Sequence, residues 1–172
     1  MNQKLRNNVI AIGAMVVLSI GIIAGIKYTN GDFGAKENVV ALDVSGYVNS
    51  DATITEAYRC LDDSDATTGY AVTVTATGFN AASPIEMKIT FDVTKETIVS
   101  FEVVSQEETP GLGANVATEE FTAQFVNVAG PVYTADMTTT GTAFDQVSGA
   151  TISSKAVAHA INAAYEYLAT VL

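Results

Sequence analysis

Residues 145–151, Asp-Gln-Val-Ser-Gly-Ala-Thr, are the segment whose residue types most clearly predict chemistry. They lead from a polar loop into an apolar-striped helix, for which Ser148 is the predicted N-cap residue. Gly149 leaves the backbone open to close approach, and Thr151 offers a hydroxyl in the first turn. First-turn amides lack intrahelical acceptors, and the helix dipole adds partial positive charge there. A phosphate held at this point would therefore be stabilised without a basic side chain, although a helix start with no ligand would have the same residues.

Residues 108–113, Glu-Thr-Pro-Gly-Leu-Gly, form a second candidate site directly after a predicted strand. Pro110 fixes one backbone angle, while Gly111 and Gly113 allow positive φ values and carry no Cβ to obstruct a flat ring. Leu112 between them offers an apolar contact. By itself the segment is typical of a Gly-Pro turn that joins a strand to a helix, and its residues would also leave room for a planar group.

Both segments, in this order along the chain, resemble motifs in the FMN-binding domains of RnfG, a component of the Rnf electron-transport complex, and of its relative NqrC. The resemblance covers residues 69–172 and includes the Phe-Thr-Ala-Gln-Phe run at 121–125. It implies that a separate flavin transferase esterifies Thr151 with the phosphate of FMN, and that Asp145 belongs to the motif recognised by the transferase. It also implies that the cofactor is contacted by Ser148, Gly149, Ala150, Glu108, Thr109, Gly111, Leu112 and Gly113.

The same resemblance implies a function in electron transfer. The chain would be a membrane flavoprotein that relays electrons between subunits of an Rnf-type, ion-translocating ferredoxin:NAD oxidoreductase, with no turnover of its own. Two alternatives stay open: a stand-alone surface flavoprotein for external electron acceptors, and a non-redox anchored binding module in which Thr151 is an ordinary helix residue. Gln106 departs from the family pattern, in which histidine is expected, and the chain has no tryptophan.

The charge and cysteine content of the chain exclude several partners and cofactors. The 172 residues include 19 acidic and 8 basic side chains, for a formal net charge of -11. Such a surface is repelled by nucleic acid and by anionic lipid headgroups. The single cysteine, Cys60, cannot form an internal disulfide or build an iron–sulfur cluster, so we interpret it as a small, partly buried residue.

Residues 9–26 predict a transmembrane helix because none of them is charged. At about 1.5 Å per residue they span roughly 27 Å, close to the ~30 Å hydrocarbon core of a bilayer. Lys4 and Arg6 precede the span, which favours a cytoplasmic N-terminus at residues 1–8. A linker at residues 27–45 and a domain at residues 46–172 would then lie outside the cell membrane. A cleaved signal peptide is the alternative, but its apolar core is usually ~7–15 residues long.

Hydrophobic periodicity predicts the elements that would carry the two candidate sites. Alternation predicts strands at residues 70–77, 85–93 and 98–105, joined by short turns into an antiparallel sheet, as a meander or half-barrel. Helical spacing predicts helices at residues 119–128 and 152–171, and a further strand is predicted at residues 132–140. The predicted fold class is therefore α+β, with the last helix packed on the sheet.

The remaining chemistry-bearing residues give weaker signals. His159 is the one histidine of the sequence and is predicted on the exposed side of the last helix, without a second ligand or triad partner. Glu107 and Glu108 are adjacent and would face opposite sides of a strand, which argues against a paired-carboxylate site. The sequence contains no phosphate-binding loop motif, zinc pattern or nucleophile motif, so neither a metal site nor a catalytic residue is predicted.

Overall fold

A computed structural model describes residues 38–138 and 140–172, which form a sheet and helices of the predicted α+β class. The predicted membrane helix at residues 9–26, the N-terminus at residues 1–8 and most of the predicted linker lie outside the described residues. Among the residues that are described, no helix has the length and apolar character needed to cross a membrane.

The described part of the chain contains an antiparallel sheet of five strands, and each strand pairs with the next one along the chain. The strands are β1 (Asn38–Ala41), β2 (Ala52–Leu61), β3 (Thr67–Ala76), β4 (Ile85–Phe91) and β5 (Ile98–Ser105). The predicted meander is confirmed, but β1 and β2 were not predicted. β1 lies inside residues 27–45, which were predicted to be a linker, so that prediction was wrong for residues 38–41. In β2, a register shift between Ile54 and Glu56 interrupts the alternation of buried and exposed residues.

The core-facing side of β4 shows why the sheet was predictable. Ile85, Met87, Ile89 and Phe91 alternate along the strand and are all fully buried. The prediction that Val93 continues this face was wrong: the strand ends at Phe91, and Val93 is 53% exposed. The chain leaves the strand there because residues 92–95 form the turn into β5.

The segment between β5 and the last helix is less regular than predicted. It contains a 3-10 helix (Gly113–Ala117), the short helix α1 (Glu119–Thr122) and a second 3-10 helix (Ala123–Phe125). The helix predicted to reach residue 128 stops early because Asn127, with a positive φ of 63°, donates its N–H to the Ile98 carbonyl at 2.8 Å. The strand predicted at residues 132–140 is limited to β6 (Val132–Tyr133), which pairs in parallel with β7 (Thr142–Ala143).

The last helix, α2 (Thr151–Val171), packs on the sheet as predicted. Val157, Ile161, Ala164 and Leu168 form its buried stripe and have no exposed surface. Burial of a Val, Ile or Leu side chain stabilises a fold by roughly 1.5–3 kcal/mol. This stripe therefore fixes the helix, and with it the position of the predicted phosphate site at its N-terminus.

The connection between β1 and β2, residues 42–51, lies against the C-terminal half of α2. The Tyr47 hydroxyl donates to Glu166 Oε2 at 2.8 Å and lies 3.1 Å from the Ala163 carbonyl oxygen. The Tyr167 hydroxyl donates to the Asp43 carbonyl oxygen at 3.1 Å, and the two tyrosine rings meet edge to face. This end of the helix is thus anchored by long-range side-chain hydrogen bonds.

Candidate functional site

The two segments singled out from the sequence lie next to each other. The β5 loop (residues 106–112) approaches the α2 loop (residues 144–150) at Gly149. A Cβ on Gly149 would lie only 3.3 Å from Leu112 Cδ2. Gly149 also has a φ of +73°, in the left-handed region that favours glycine. A larger residue at this position would be strained and would press on Leu112, so Gly149 allows the two loops to meet.

A buried carboxylate joins the two loops to a third one. Glu108 is only 4% exposed, and its oxygens accept hydrogen bonds from the backbone N–H groups of Phe79 (3.1 Å) and Asn80 (3.0 Å) in the β3–β4 loop, residues 77–84. Ser153 Oγ, in the first turn of α2, donates to Glu108 Oε2 at 2.5 Å. Since its oxygens face protein donors, the structure gives Glu108 a positioning role, and its predicted contact with a cofactor stays a prediction.

The glycines of the β5 loop serve two different purposes. Gly111 has the predicted positive φ, at +76°, and nothing would obstruct a Cβ there. Gly113 does not use the positive φ that glycine allows. It is buried, and a Cβ on it would lie 2.5 Å from Ser153 Oγ and 2.7 Å from Glu108 Oε2. Gly113 is therefore required by the close approach of the β5 loop to α2, and Gly111 by backbone conformation.

The start of α2 differs from the prediction that Ser148 caps it. The N-cap residue is Ala150, no side chain caps the helix, and Thr151 is its first residue, whereas the sequence suggested the third. Ser148 is exposed, since the turn at Gly149 separates it from the helix. The α2 loop is instead held by Ser154, whose Oγ accepts the Val147 N–H at 3.1 Å.

The first turn of α2 carries the donors that a phosphate would need. The backbone N–H groups of Thr151, Ile152 and Ser153 have no acceptor among the described residues. No acidic side chain belongs to this turn, and the Glu108 carboxylate beside it already accepts hydrogen bonds from Ser153 and from two backbone N–H groups of the β3–β4 loop. Thr151 itself is partly exposed, which leaves its hydroxyl accessible. The donor set thus fits a phosphate ester at this residue.

Apolar side chains are exposed around these donors. Leu112 is 44% exposed, Ile152 is 53% exposed and Phe79, in the β3–β4 loop, is 67% exposed. Phe79 N and Ser153 Oγ both bind Glu108 Oε2, so the β3–β4 loop lies close to the first turn of α2. A flat apolar ring that covered these side chains would remove their surface from water at about 25 cal/mol per Å².

The other predicted site residues have the following positions. Thr109 is exposed, and its carbonyl oxygen accepts the N–H groups of Leu112 and Ala114, both at 3.1 Å, which closes the β5 loop. Ala150, the last residue of the α2 loop, is buried. Asp145 is exposed, and Gln124 holds its backbone by bonds of 2.9 and 3.3 Å, whereas its carboxylate makes no hydrogen bond within the described part of the chain.

Phe79 and Ser153 are the residues that the sequence predictions missed. Phe79 gave one available signal, because it is a large aromatic residue in an otherwise small and polar turn at residues 78–84. Ser153 gave none, since its bond to Glu108 joins residues 45 positions apart.

The rival candidates do not form a second site of comparable chemistry. His159 is partly buried, contrary to the predicted exposed position, and lines a cleft of about 150 Å³ together with Asp51, Asn162 and Glu166. Within the described ranges, no three His, Cys, Asp or Glu side chains come together as a metal site requires. Glu107 is exposed and Glu108 is buried, so they do face opposite ways, although both follow β5 and do not belong to it.

Comparison with known proteins matches the region that contains these loops to one family. The profile of the FMN-binding domain family matches residues 78–166, a span that contains the β5 and α2 loops, residues 78–84 of the β3–β4 loop and most of α2. The G subunit of the ion-translocating oxidoreductase complex of Methanosarcina acetivorans is 39% identical over 111 residues, which cover 64% of this chain and 57% of that protein. The G subunit of the proton-translocating ferredoxin:NAD(+) oxidoreductase complex of Clostridium ljungdahlii is 33% identical over 105 residues, 60% of this chain and 55% of that protein. The matched region thus spans little more than half of each relative.

Two solved structures share the fold. NqrC of Shewanella oneidensis superposes with a TM-score of 0.52 at 19% identity, over 67% of this chain and 61% of that one. The C subunit of the Na(+)-translocating NADH-quinone reductase of Parabacteroides distasonis has a TM-score of 0.52 at 25% identity, over 66% of this chain and 60% of that one. The antiparallel sheet with its packed helix is therefore an architecture that these two proteins also have.

Proposed function

Because this chain belongs to the FMN-binding domain family, we propose that it carries FMN through a phosphoester to Thr151. One observation supports this most strongly: the two loops that the sequence separates by some thirty residues meet at Gly149 and Leu112, beside the first turn of α2. The contact brings a partly exposed hydroxyl, free amide donors and exposed apolar side chains to one place. A helix start with no bound group would not need the second loop.

The phosphate end of the proposed site is the first turn of α2. The N–H groups of Thr151, Ile152 and Ser153 would donate to the phosphate oxygens, and the helix dipole would stabilise their charge. The exposed Ser148 and the small Gly149 leave the Thr151 hydroxyl open to a flavin transferase. The unbonded carboxylate of Asp145 is free to be recognised by that enzyme.

The ring end of the proposed site is the β5 loop. Leu112 and Phe79 would pack on the ring, and Thr109 with the backbone of Gly111 would face its polar edge. Glu108, through Ser153, keeps the β5 loop and the helix at a constant distance. Bound FMN would supply the redox chemistry, while these residues would hold it and limit its contact with water.

We further propose that the protein is a membrane-anchored subunit of an Rnf-type complex that relays electrons between neighbouring subunits. Support comes from the relatives named as G subunits of ion-translocating oxidoreductase complexes and from the uncharged residues 9–26. The domain would lie outside the cell membrane, where a covalent bond keeps the cofactor from being lost. The other membrane subunits would be its redox partners.

The experiment is co-expression of the full chain with a flavin transferase, followed by in-gel flavin fluorescence. We expect fluorescence from wild type and from Thr151→Ser, which keeps a hydroxyl, and none from Thr151→Ala. Thr170→Ala is the matched control, since it removes an exposed threonine hydroxyl at the other end of α2 and should stay fluorescent. A colourless wild type would refute the flavin proposal, and a fluorescent Thr151→Ala would show that another residue is the acceptor.

A further inference from the structure

Lys155 is a basic residue near the start of α2, in a region where acidic residues predominate. Seventeen of the nineteen acidic residues lie at or beyond residue 38, but only four of the eight basic ones do, since Lys4, Arg6, Lys27 and Lys36 precede it. Lys155 follows Thr151 by four residues on α2 and is partly buried. No carboxylate of the described residues forms an ion pair with it, despite the acidic excess.

Lys155, the fifth residue of α2, adds a positive charge just beyond the first turn of the helix. The N-terminal end of a helix carries partial positive charge, which favours acidic residues and disfavours basic ones. In α2 the first turn has no acidic side chain, and its three leading amides have no acceptor among the described residues. The helix end, its free amides and the Lys155 ammonium would together stabilise a bound anion.

Helix geometry directs Lys155 toward Thr151. Residues four apart lie on one face with their Cβ atoms about 5–6 Å apart. Because Cα–Cβ bonds tilt toward the helix N-terminus, a long side chain covers the turn that precedes it. A Lys155 side chain in this orientation would cover the first turn. Glu108, the buried carboxylate near this turn, accepts its hydrogen bonds from Ser153 and the β3–β4 loop.

We propose that Lys155 binds the phosphate of FMN at Thr151 and orients it. This inference rests on the proposed function, and it corrects the sequence-based expectation that the phosphate site needs no basic side chain. Lys155 would supply the single positive charge of the site, while the backbone amides supply the directional hydrogen bonds. It would be a cofactor-binding residue that takes no part in electron transfer.

The first test measures the phosphate directly. Full-length protein is loaded with FMN by a flavin transferase in a maltoside detergent and examined by phosphorus NMR. The variants are Lys155→Gln, Lys155→Arg and, as a matched control, Lys95→Gln in the turn between β4 and β5. We expect a shifted phosphorus resonance and about fivefold slower loading for Lys155→Gln alone, with Lys155→Arg close to wild type. Equal resonances and equal loading for Lys155→Gln and Lys95→Gln would overturn the proposal.

A second test does not depend on the ester. In the Thr151→Ala background the unfolding midpoint is followed against inorganic phosphate, with chloride of equal ionic strength as reference. Phosphate also stabilises proteins non-specifically, so the comparison is between variants. We expect a smaller phosphate-induced rise for Lys155→Gln than for Lys95→Gln, and equal rises would contradict the role of Lys155. If wild type gains no flavin but this difference is found, the proposed FMN ester fails while Lys155 remains an anion-binding residue.

Discussion

At its C-terminal end, α2 is held by hydroxyl groups of Tyr47 and Tyr167, whereas at its N-terminal end three amides have no acceptor among the described residues. The C-terminal half buries Ala163 and Tyr167 almost completely, while Ile152 in the first turn is 53% exposed. One end of the helix therefore has tyrosine hydroxyls bonded within the protein, and the other end has backbone donors left open. The open end is where the family resemblance places the cofactor, so stability and binding are assigned to opposite ends.

The largest effect is expected at Glu108, because this buried carboxylate connects the open end to two neighbouring loops. Glu108→Ala would leave three donors, on Phe79, Asn80 and Ser153, without their acceptor. We expect the free energy of unfolding to fall by about 3 kcal/mol, since each buried unpaired polar group costs ~1–3 kcal/mol. Flavin attachment should fall as well, because the β5 loop is no longer fixed to α2.

Glu107→Ala is the matched control for this prediction. Glu107 is adjacent but exposed, and its removal should change the free energy of unfolding by less than about 0.5 kcal/mol. Urea denaturation of both variants measures the difference. Similar losses in the two variants would mean that the buried network does not support the open end.

Two serine substitutions test which side chain holds the start of α2. Ser154→Ala removes a buried hydroxyl that accepts the Val147 N–H, and should cost about 1–2 kcal/mol. Ser148→Ala removes an exposed hydroxyl and should cost less than about 0.5 kcal/mol. Substitution of an N-cap serine by alanine lowers the free energy of unfolding by about 1 kcal/mol. A loss of that size in Ser148→Ala, measured by urea denaturation, would show that Ser148 caps the helix as predicted.

The anchored end should respond to alkaline pH. Burial, and then the hydrogen bond to Glu166, raise the pKa of Tyr47 from 10.0 to about 12. Because the folded-state pKa lies above the unfolded one, this stabilisation is complete below pH 10 and is lost as the pH rises toward 12. We expect Tyr47→Phe to cost about 1 kcal/mol at pH 8 and to be closer to wild type at pH 11.

Tyr133→Phe is the control for the alkaline effect, because Tyr133 is also partly buried but its hydroxyl makes no hydrogen bond within the described part of the chain. The unfolding measurements use protein expressed without a flavin transferase, because the proposed FMN ester would hydrolyse at high pH. If the gap between wild type and Tyr47→Phe stayed constant between pH 8 and pH 11, the hydroxyl contacts at this end would not hold the helix as described.

Features encoded in short stretches of sequence were predictable. The alternation of Ile85 to Phe91 and the apolar stripe of α2 report directly on burial, so β4 and α2 were found with small errors at their ends. The loop motifs at residues 108–113 and 145–151 were found because glycine, proline and hydroxyl residues have distinct local roles. The comparisons then confirmed the family.

Features that depend on distant contacts were not predictable. β1 is a short edge strand whose partner is β2, and its sequence gives little alternation of its own. Ser148 has the right side chain for a cap, but the positive φ of Gly149 and the bond between Ser154 and Val147 begin the helix later. The roles of Phe79 and Ser153 arise only where the chain folds back on Glu108.

The most direct test of the central claim is the intact mass of the protein purified from its native host, with fragmentation to locate any modification. The proposed function predicts one FMN phosphoester per chain, carried by the peptide that contains Thr151. An unmodified mass, or FMN on a peptide that lacks Thr151, would contradict it.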